Sequence, residues 1–218
     1  MISASGTMHG GFGEAPPGAP PHWLAYVRVD DADAVAERVQ QHGGQVHHGP
    51  DDIPEVGRFA IFADPQGAVI AAHALKVKES DAPPAEGVFA WDELLTTDVE
   101  QAKAFYGAVF GWTTADMDMG EMGTYTLFKR ADDQDAGGLM QKPAEDPSPP
   151  HWMTYLATPD VDATGEDLRG GDGHPGRRPH RRDRRSDGSR RRALPGAGLT
   201  TCLFRTCPLR RLYADEPD

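Results

Sequence analysis

Apolar and polar positions alternate first over residues 20–30. Trp23, Ala25, Val27 and Val29 fall on one face, and Leu24, Tyr26 and Arg28 on the other. A period of two over β-forming residues predicts a half-buried strand. A helix follows, with Asp31 as N-cap. Ala32, Val35, Ala36 and Val39 form its apolar stripe, and Gly43-Gly44 ends it. Two strands are expected at about 58–63 and 67–73, joined by the turn Asp64-Pro65-Gln66-Gly67. Residues 76–87, which include Pro83-Pro84, read as a linker. A strand over 88–96 then leads to a second helix, capped near Asp98 and ending at Gly111. Its stripe is Val99, Ala102, Phe105, Tyr106, Val109 and Phe110. Weaker strands are expected near 112–117, 123–129 and 136–140, before a Pro-rich hinge at 143–150. The strand–helix–strands order occurs twice, which predicts an α+β protein. Its sheets would be mixed, with helices on one face and a cavity or solvent on the other.

The chain also repeats itself. PPHWLAYVRVDDADA (20–34) recurs as PPHWMTYLATPDVDA (149–163), with eight of fifteen residues identical at an offset of 129. A long internal period points to a duplicated structural unit. After the second copy, at about Thr164, the pattern is lost and an Arg-rich tail occupies 165–218. Leu and Phe are seven of its 54 residues and Val and Ile are absent, below the roughly 20% of a globular segment. The expectation is a disordered basic tail. A shifted reading frame accounts for it. Val56-Gly57-Arg58-Phe59-Ala60, in GC-rich codons read one nucleotide out of register, gives Ser-Asp-Gly-Ser-Arg. Those residues stand at 186–190, and Gly57 plus the repeat offset falls on Ser186.

Charge divides the chain the same way. Residues 1–164 hold 9 Lys/Arg against 26 Asp/Glu, a net of −17, whereas 165–218 hold 13 against 8, a net of +5. An acidic body argues against nucleic-acid binding, which depends on cationic contact with phosphates. No apolar run reaches the roughly 20 residues that span a bilayer, and no secretory leader is evident. The expected location is cytoplasmic. Cys202 and Cys207 both lie in the tail and show no standard zinc spacing with His174 or His180. No phosphate loop, dinucleotide fingerprint or nucleophile elbow is present.

FYGAVFGW (105–112), after a strand that ends in Thr-Thr-Asp, resembles the first module of the vicinal oxygen chelate superfamily of glyoxalases, bleomycin-resistance proteins and ring-cleaving dioxygenases. GRFAIFADPQGAVIAAH (57–73) resembles the last strands of its second module. The resemblance covers about residues 6–164 and is nearest to tandem, two-domain actinobacterial members described as glyoxalase-like or hydroxylase-like. It implies βαβββ modules that pair into one U-shaped sheet around a small-molecule site. On that pattern, 6–75 is a second-type module, 76–87 a linker, and 88–142 a first-type module. Residues 148–164 begin a fourth module, which gives way to the tail at 165–218.

The resemblance also implies ligand positions, since metal-dependent members use His, Gln or Glu from four strand sites. Carried over, those sites fall on Leu24, Ala71, Trp91 and Leu139. None of these can ligate a cation, so no metal and no cofactor is expected. His22, His73 and His151 are the nearest histidines and read as strand-end residues. By strand parity the cavity-facing set is Leu24, Tyr26, Val69, Ala71, His73, Trp91, Glu93 and Leu95. Glu93 is the candidate general base, its competing reading an ion-paired or edge carboxylate. Trp23 and Trp152 have helix-facing parity and are expected in the core. Met117, Met119 and Met122 are expected at a pocket rim.

Three function classes stay open on this reading. They are a metal-independent small-molecule enzyme of hydroxylase-like type, a small-molecule binding protein of the bleomycin-resistance kind, and a non-functional product of the shifted frame. The expected partner is a small-molecule ligand. The expected assembly is either a monomer whose two complete modules pair in permuted order or a homodimer that exchanges them.

Overall fold

The computed structural model describes residues 2–4, 7–11, 13–14, 21–76, 89–162 and 164. The expectations for most of the linker and for the Arg-rich tail lie outside those residues.

Strands β1 (Ile2–Ala4) and β2 (Thr7–Gly10) form a small antiparallel hairpin that the sequence pattern does not announce. β3 (Tyr26–Arg28) then leads into α1 (Ala32–Gln41). β4 (Gln45–Ile53), β5 (Gly57–Ala63) and β6 (Val69–Leu75) complete a four-stranded sheet in the order β3-β6-β5-β4. β3 lies parallel to β6 and the other pairs are antiparallel. The second unit repeats the plan with β7 (Phe89–Thr96), α2 (Val99–Phe110), β8 (Thr113–Asp118), β9 (Thr124–Lys129) and β10 (Asp135–Gln141). β11 (His151–Leu156) adds to the free edge of β7, giving the order β11-β7-β10-β9-β8. The result is α+β, with mixed sheets built from two strand–helix–strands units.

Both helices begin and end as the sequence leads one to expect. Asp31 Oδ1 accepts from Ala34 N at 3.0 Å, and Asp98 Oδ1 from Gln101 N at 3.0 Å. Each satisfies a backbone donor that the first turn leaves unpaired. Gly111 closes α2 in the left-handed region at φ 73°, which favours glycine.

Three elements depart from the pattern. β3 is three residues long rather than eleven, because its ladder reaches only Ala71–His73 of β6. β4 was not legible. Its segment HHGPDD is polar, and it lies at the sheet edge with two register shifts against β5. Edge strands tolerate charge and irregularity. Trp23 is 53% exposed, contrary to its expected place in the core, whereas Trp152 is buried. The two tryptophans occupy equivalent repeat positions, but only Trp152 stands in a strand paired with β7.

The two units pack helix face to helix face. Val35, Val39, Phe62 and Ile70 from the first share one core with Leu94, Phe105, Tyr106, Val109, Phe128, Leu139 and Trp152 from the second. Burial of each large side chain contributes about 1.5–3 kcal/mol. Polar groups fix the register. The Asp64-Pro65-Gln66-Gly67 turn carries Gln66 to the start of α2. There its Oε1 accepts from Asp98 N at 2.7 Å, Thr97 N at 3.1 Å and Thr97 Oγ1 at 2.7 Å. Arg38 Nε donates to Val109 O at 2.8 Å. Among the described residues, no strand pairing joins the two sheets.

Candidate active site

Sheet parity divides β7 between two surroundings. Leu94 and Thr96 face the helices, and Trp91, Glu93 and Leu95 face outward. On that outer face, register brings Tyr155 of β11 opposite Trp91, and Met153 opposite Glu93. β10 places Gly138 beside Glu93 on the other side. Tyr125 arrives from β9 and Met119 from the turn between β8 and β9. Both pack with Tyr155, Trp91, Leu127, Met140 and Met153.

Glu93 lies at the centre and is 1% exposed. Tyr155 Oη donates to its Oε1 at 3.0 Å. Its Oε2 is buried and makes no well-formed hydrogen bond among the described residues, while the Tyr125 hydroxyl lies near enough to the carboxyl to lower its pKa. Burial pushes the Glu93 carboxyl above the ordinary glutamate range, and the Tyr125 and Tyr155 hydroxyls act in the opposite direction. Both phenols are themselves raised, first by burial and then by the charge of Glu93. Trp91 Nε1 donates to Tyr125 Oη at 2.9 Å. This pair needs Gly138, because a Cβ there would stand 1.8 Å from Tyr125 Oη and 3.0 Å from Trp91 Nε1.

The face is therefore a largely buried aromatic and thioether cluster around one incompletely bonded carboxyl. Such a group can accept a proton or hydrogen bond from a ligand O–H or N–H.

The eight residues expected at one cavity are not gathered around one. Trp91, Glu93 and Leu95 lie on the outer face of the five-stranded sheet. Leu24, Tyr26, Val69, Ala71 and His73 lie with the other sheet, where Ala71 is fully buried between Tyr26 and Ile61 in register. Tyr26 is 51% exposed, with its ring 6.1 Å from that of His73. His73 Nε2 is buried and unpaired, and burial followed by the nearby Arg28 charge lowers the His73 pKa. The sheets meet through their helix-bearing sides, which turns the two outer faces away from one another.

Sequence reasoning missed Tyr125, Tyr155, Gly138 and Met153. A signal for Tyr155 was present, since the repeat makes it the counterpart of Tyr26. The Tyr125-Thr126-Leu127-Phe128 alternation also puts Tyr125 and Leu127 on one face.

The carried-over ligand positions do not fit a divalent ion. Leu24 and Ala71 have no donor atom, Leu139 is in the helix-side core, and the Trp91 nitrogen is a hydrogen-bond donor to Tyr125. Among the described residues, no group of three or more His, Cys, Asp or Glu could hold a metal ion. No helix among them is long and apolar enough to cross a membrane.

Residues 6–72 match the model of the Glyoxalase/Bleomycin resistance protein/Dioxygenase superfamily, and 89–126 that of a Bleomycin resistance protein-like N-terminal domain. CFP32 of Mycobacterium bovis, which carries a glyoxylase name, is 39% identical over 157 residues, covering 69% of this chain and 57% of that protein. The anthracycline biosynthesis protein DnrV of Streptomyces peucetius is 35% identical over 148 residues, covering 67% and 53%. The chain thus spans somewhat over half the length of these relatives. A solved structure, 2,2',3-trihydroxybiphenyl 1,2-dioxygenase of Sphingomonas wittichii, is 16% identical with a TM-score of 0.46, covering 68% of this chain and 58% of that one. That likeness carries no weight for the chemistry.

Proposed function

This chain belongs to the Glyoxalase/Bleomycin resistance protein/Dioxygenase superfamily, and from that premise we propose that it handles a small aromatic molecule at a metal-free site on the outer face of the five-stranded sheet. One observation carries the reading, namely the unpartnered, buried Oε2 of Glu93. Buried polar atoms without partners are rare in native proteins, and a catalytic role is one of the explanations for those that occur. A ligand hydroxyl at Oε2 completes the shell of Glu93. The raised carboxyl pKa makes the group a proton acceptor nearer neutrality than an ordinary glutamate. Tyr155 holds the other oxygen in place.

Trp91, Met140 and Met153 are partly exposed over the buried Met119, Tyr125 and Tyr155, and flat, polarisable side chains of this kind suit an aromatic ring system. The anthracycline-biosynthesis names of two relatives agree with that ligand class. Hydroxylase-like turnover of a phenolic substrate and a cytoplasmic, monomeric protein with its two units packed together belong to this proposal. A module-exchanged homodimer is the alternative assembly.

A second reading is a binding protein of the bleomycin-resistance kind. It is favoured by the match of residues 89–126, which include Trp91 and Glu93, to the model of that name. Turnover separates the two readings. Ligand capture with no chemical change supports the second, and a Glu93-dependent product supports the first.

The experiment that tests the site follows tryptophan emission during titration with 2,6-dihydroxyanthraquinone, for the wild type, Glu93→Gln and Tyr155→Phe. Both variants are expected to weaken binding while they keep a cooperative melt. Equal affinity in all three proteins would refute the site.

A further inference from the structure

The opposite side of β7 carries a second, half-buried carboxyl that the Glu93 site does not use. Asp92 points from β7 towards the first unit, where it lines a cavity of about 240 Å³ with Trp23, Tyr26, Phe89 and Thr154. Asp92 is the one charged residue that lines it. Its Oδ1 accepts from Thr154 Oγ1 at 2.6 Å, and that is its only hydrogen bond among the described residues. Burial raises the Asp92 pKa, and the Thr154 bond offsets this in part. Arg28 and Arg130 line a separate cavity of about 280 Å³ together with Asp92 and Asp135.

Aromatic rings stand around it. Trp23 and Phe89 meet edge to face, with centroids 5.4 Å apart. Trp23 and Tyr26 are two of the three large hydrophobic side chains exposed among the described residues, at 53% and 51%. Exposed aromatic surface concentrated at one place marks an interaction site. Within this cavity the rings stand beside a single carboxylate, a combination that suits a cation, which is drawn both to the ring faces and to the negative charge. The cavity is smaller than the roughly 300–1,000 Å³ of a drug-sized pocket, which limits the occupant to a compact ion.

We propose that the crevice between the two units, walled by Trp23, Tyr26 and Phe89 with Asp92 at its base, binds a small organic ammonium ion such as a quaternary amine. The site lies on the other face of β7 from Glu93 and is independent of the function assigned there.

Choline and its uncharged isostere 3,3-dimethyl-1-butanol test the proposal, titrated calorimetrically into the full chain. Choline is expected to bind in the roughly millimolar range, and the alcohol at least about tenfold more weakly. Asp92→Asn keeps an acceptor for Thr154 and removes the charge. It is expected to lower choline affinity about tenfold or more with little change in Tm. Trp23→Ala, at a half-exposed position, should weaken choline binding without loss of fold. No saturable choline binding, equal affinity for the alcohol, or undiminished binding by Asp92→Asn overturns the proposal.

Discussion

Tyr106, from the second unit, donates its hydroxyl to Asp64 of the first at 3.1 Å, within the buried junction. The same hydroxyl oxygen accepts from Trp152 Nε1 at 2.9 Å. Asp64 Oδ1 meanwhile accepts from Gln66 N and Ala68 N, both at 2.9 Å. One chain of bonds thus links the turn of the first sheet, the middle of α2 and the start of β11. Tyr106→Phe removes the central member and leaves a buried carboxylate oxygen and an indole N–H unpaired. The expected cost is about 1–3 kcal/mol, read as a lower urea midpoint with unchanged slope. An unchanged midpoint would mean that water replaces the hydroxyl and that the junction does not depend on it.

The aromatic pair at the Glu93 site depends on one glycine. Gly138→Ala places a methyl group where Tyr125 Oη now lies, so Tyr125 must move away from Trp91. Overpacking of this kind costs about 1–3 kcal/mol. The expected readouts are a lower Tm and a shift in tryptophan emission as Trp91 loses its acceptor. Wild-type stability and emission would show that the face yields more easily than its contacts imply.

Glu93 also leaves a mark on pH dependence. Its folded-state pKa is raised above that of the unfolded chain by burial. The folded state therefore holds the Glu93 proton to higher pH than the unfolded state does. The favourable contribution is fully present below the unfolded glutamate pKa and is lost as pH rises through the folded value. Asp64 and Asp92 act in the same direction, and Asp33, Asp116, Asp132 and Asp146 in the other. The difference between the wild type and Glu93→Gln isolates this one residue. Relative to the variant, the wild type should lose stability as pH rises above about 4.3. Parallel Tm curves from pH 4 to 8 would contradict it.

Metal content bears on the ligand positions. With Leu24, Ala71, Trp91 and Leu139 where family members place donors, protein purified without an affinity tag should hold no stoichiometric Ni²⁺, Zn²⁺ or Fe²⁺. Elemental analysis decides this, and a ratio near one ion per chain would require donors from elsewhere.

The helices and the family were legible because both rest on local signals. Asp31 and Asp98 mark caps, the stripes have a clear period, and FYGAVFGW is contiguous. Strand parity also placed Trp91 and Glu93 on one face. The assembly of the site was not legible, since it depends on register between distant strands. Nothing near Glu93 in the sequence says that Tyr155 will bond it from 62 positions away. The repeat made Trp23 and Trp152 look equivalent, yet one is exposed and the other buried, because Trp152 lies in a strand paired with β7 and Trp23 precedes β3. The docking of the two units was hidden too. Gln66 reads as a turn residue, and only the folded chain shows it holding the start of α2.

The role of Glu93 is tested most directly by a double-mutant cycle in which one of the changes is made in the ligand. The dissociation constants of 2,6-dihydroxyanthraquinone, whose hydroxyls are free of the quinone oxygens, and of its dimethyl ether, which lacks the donor hydrogens, are measured for the wild type and for Glu93→Gln. If Oε2 receives a ligand hydroxyl, the wild type should prefer the dihydroxy compound by about tenfold or more. That preference should shrink strongly in the variant. Equal preference in the two proteins would contradict the assignment of Glu93 as the ligand's proton acceptor.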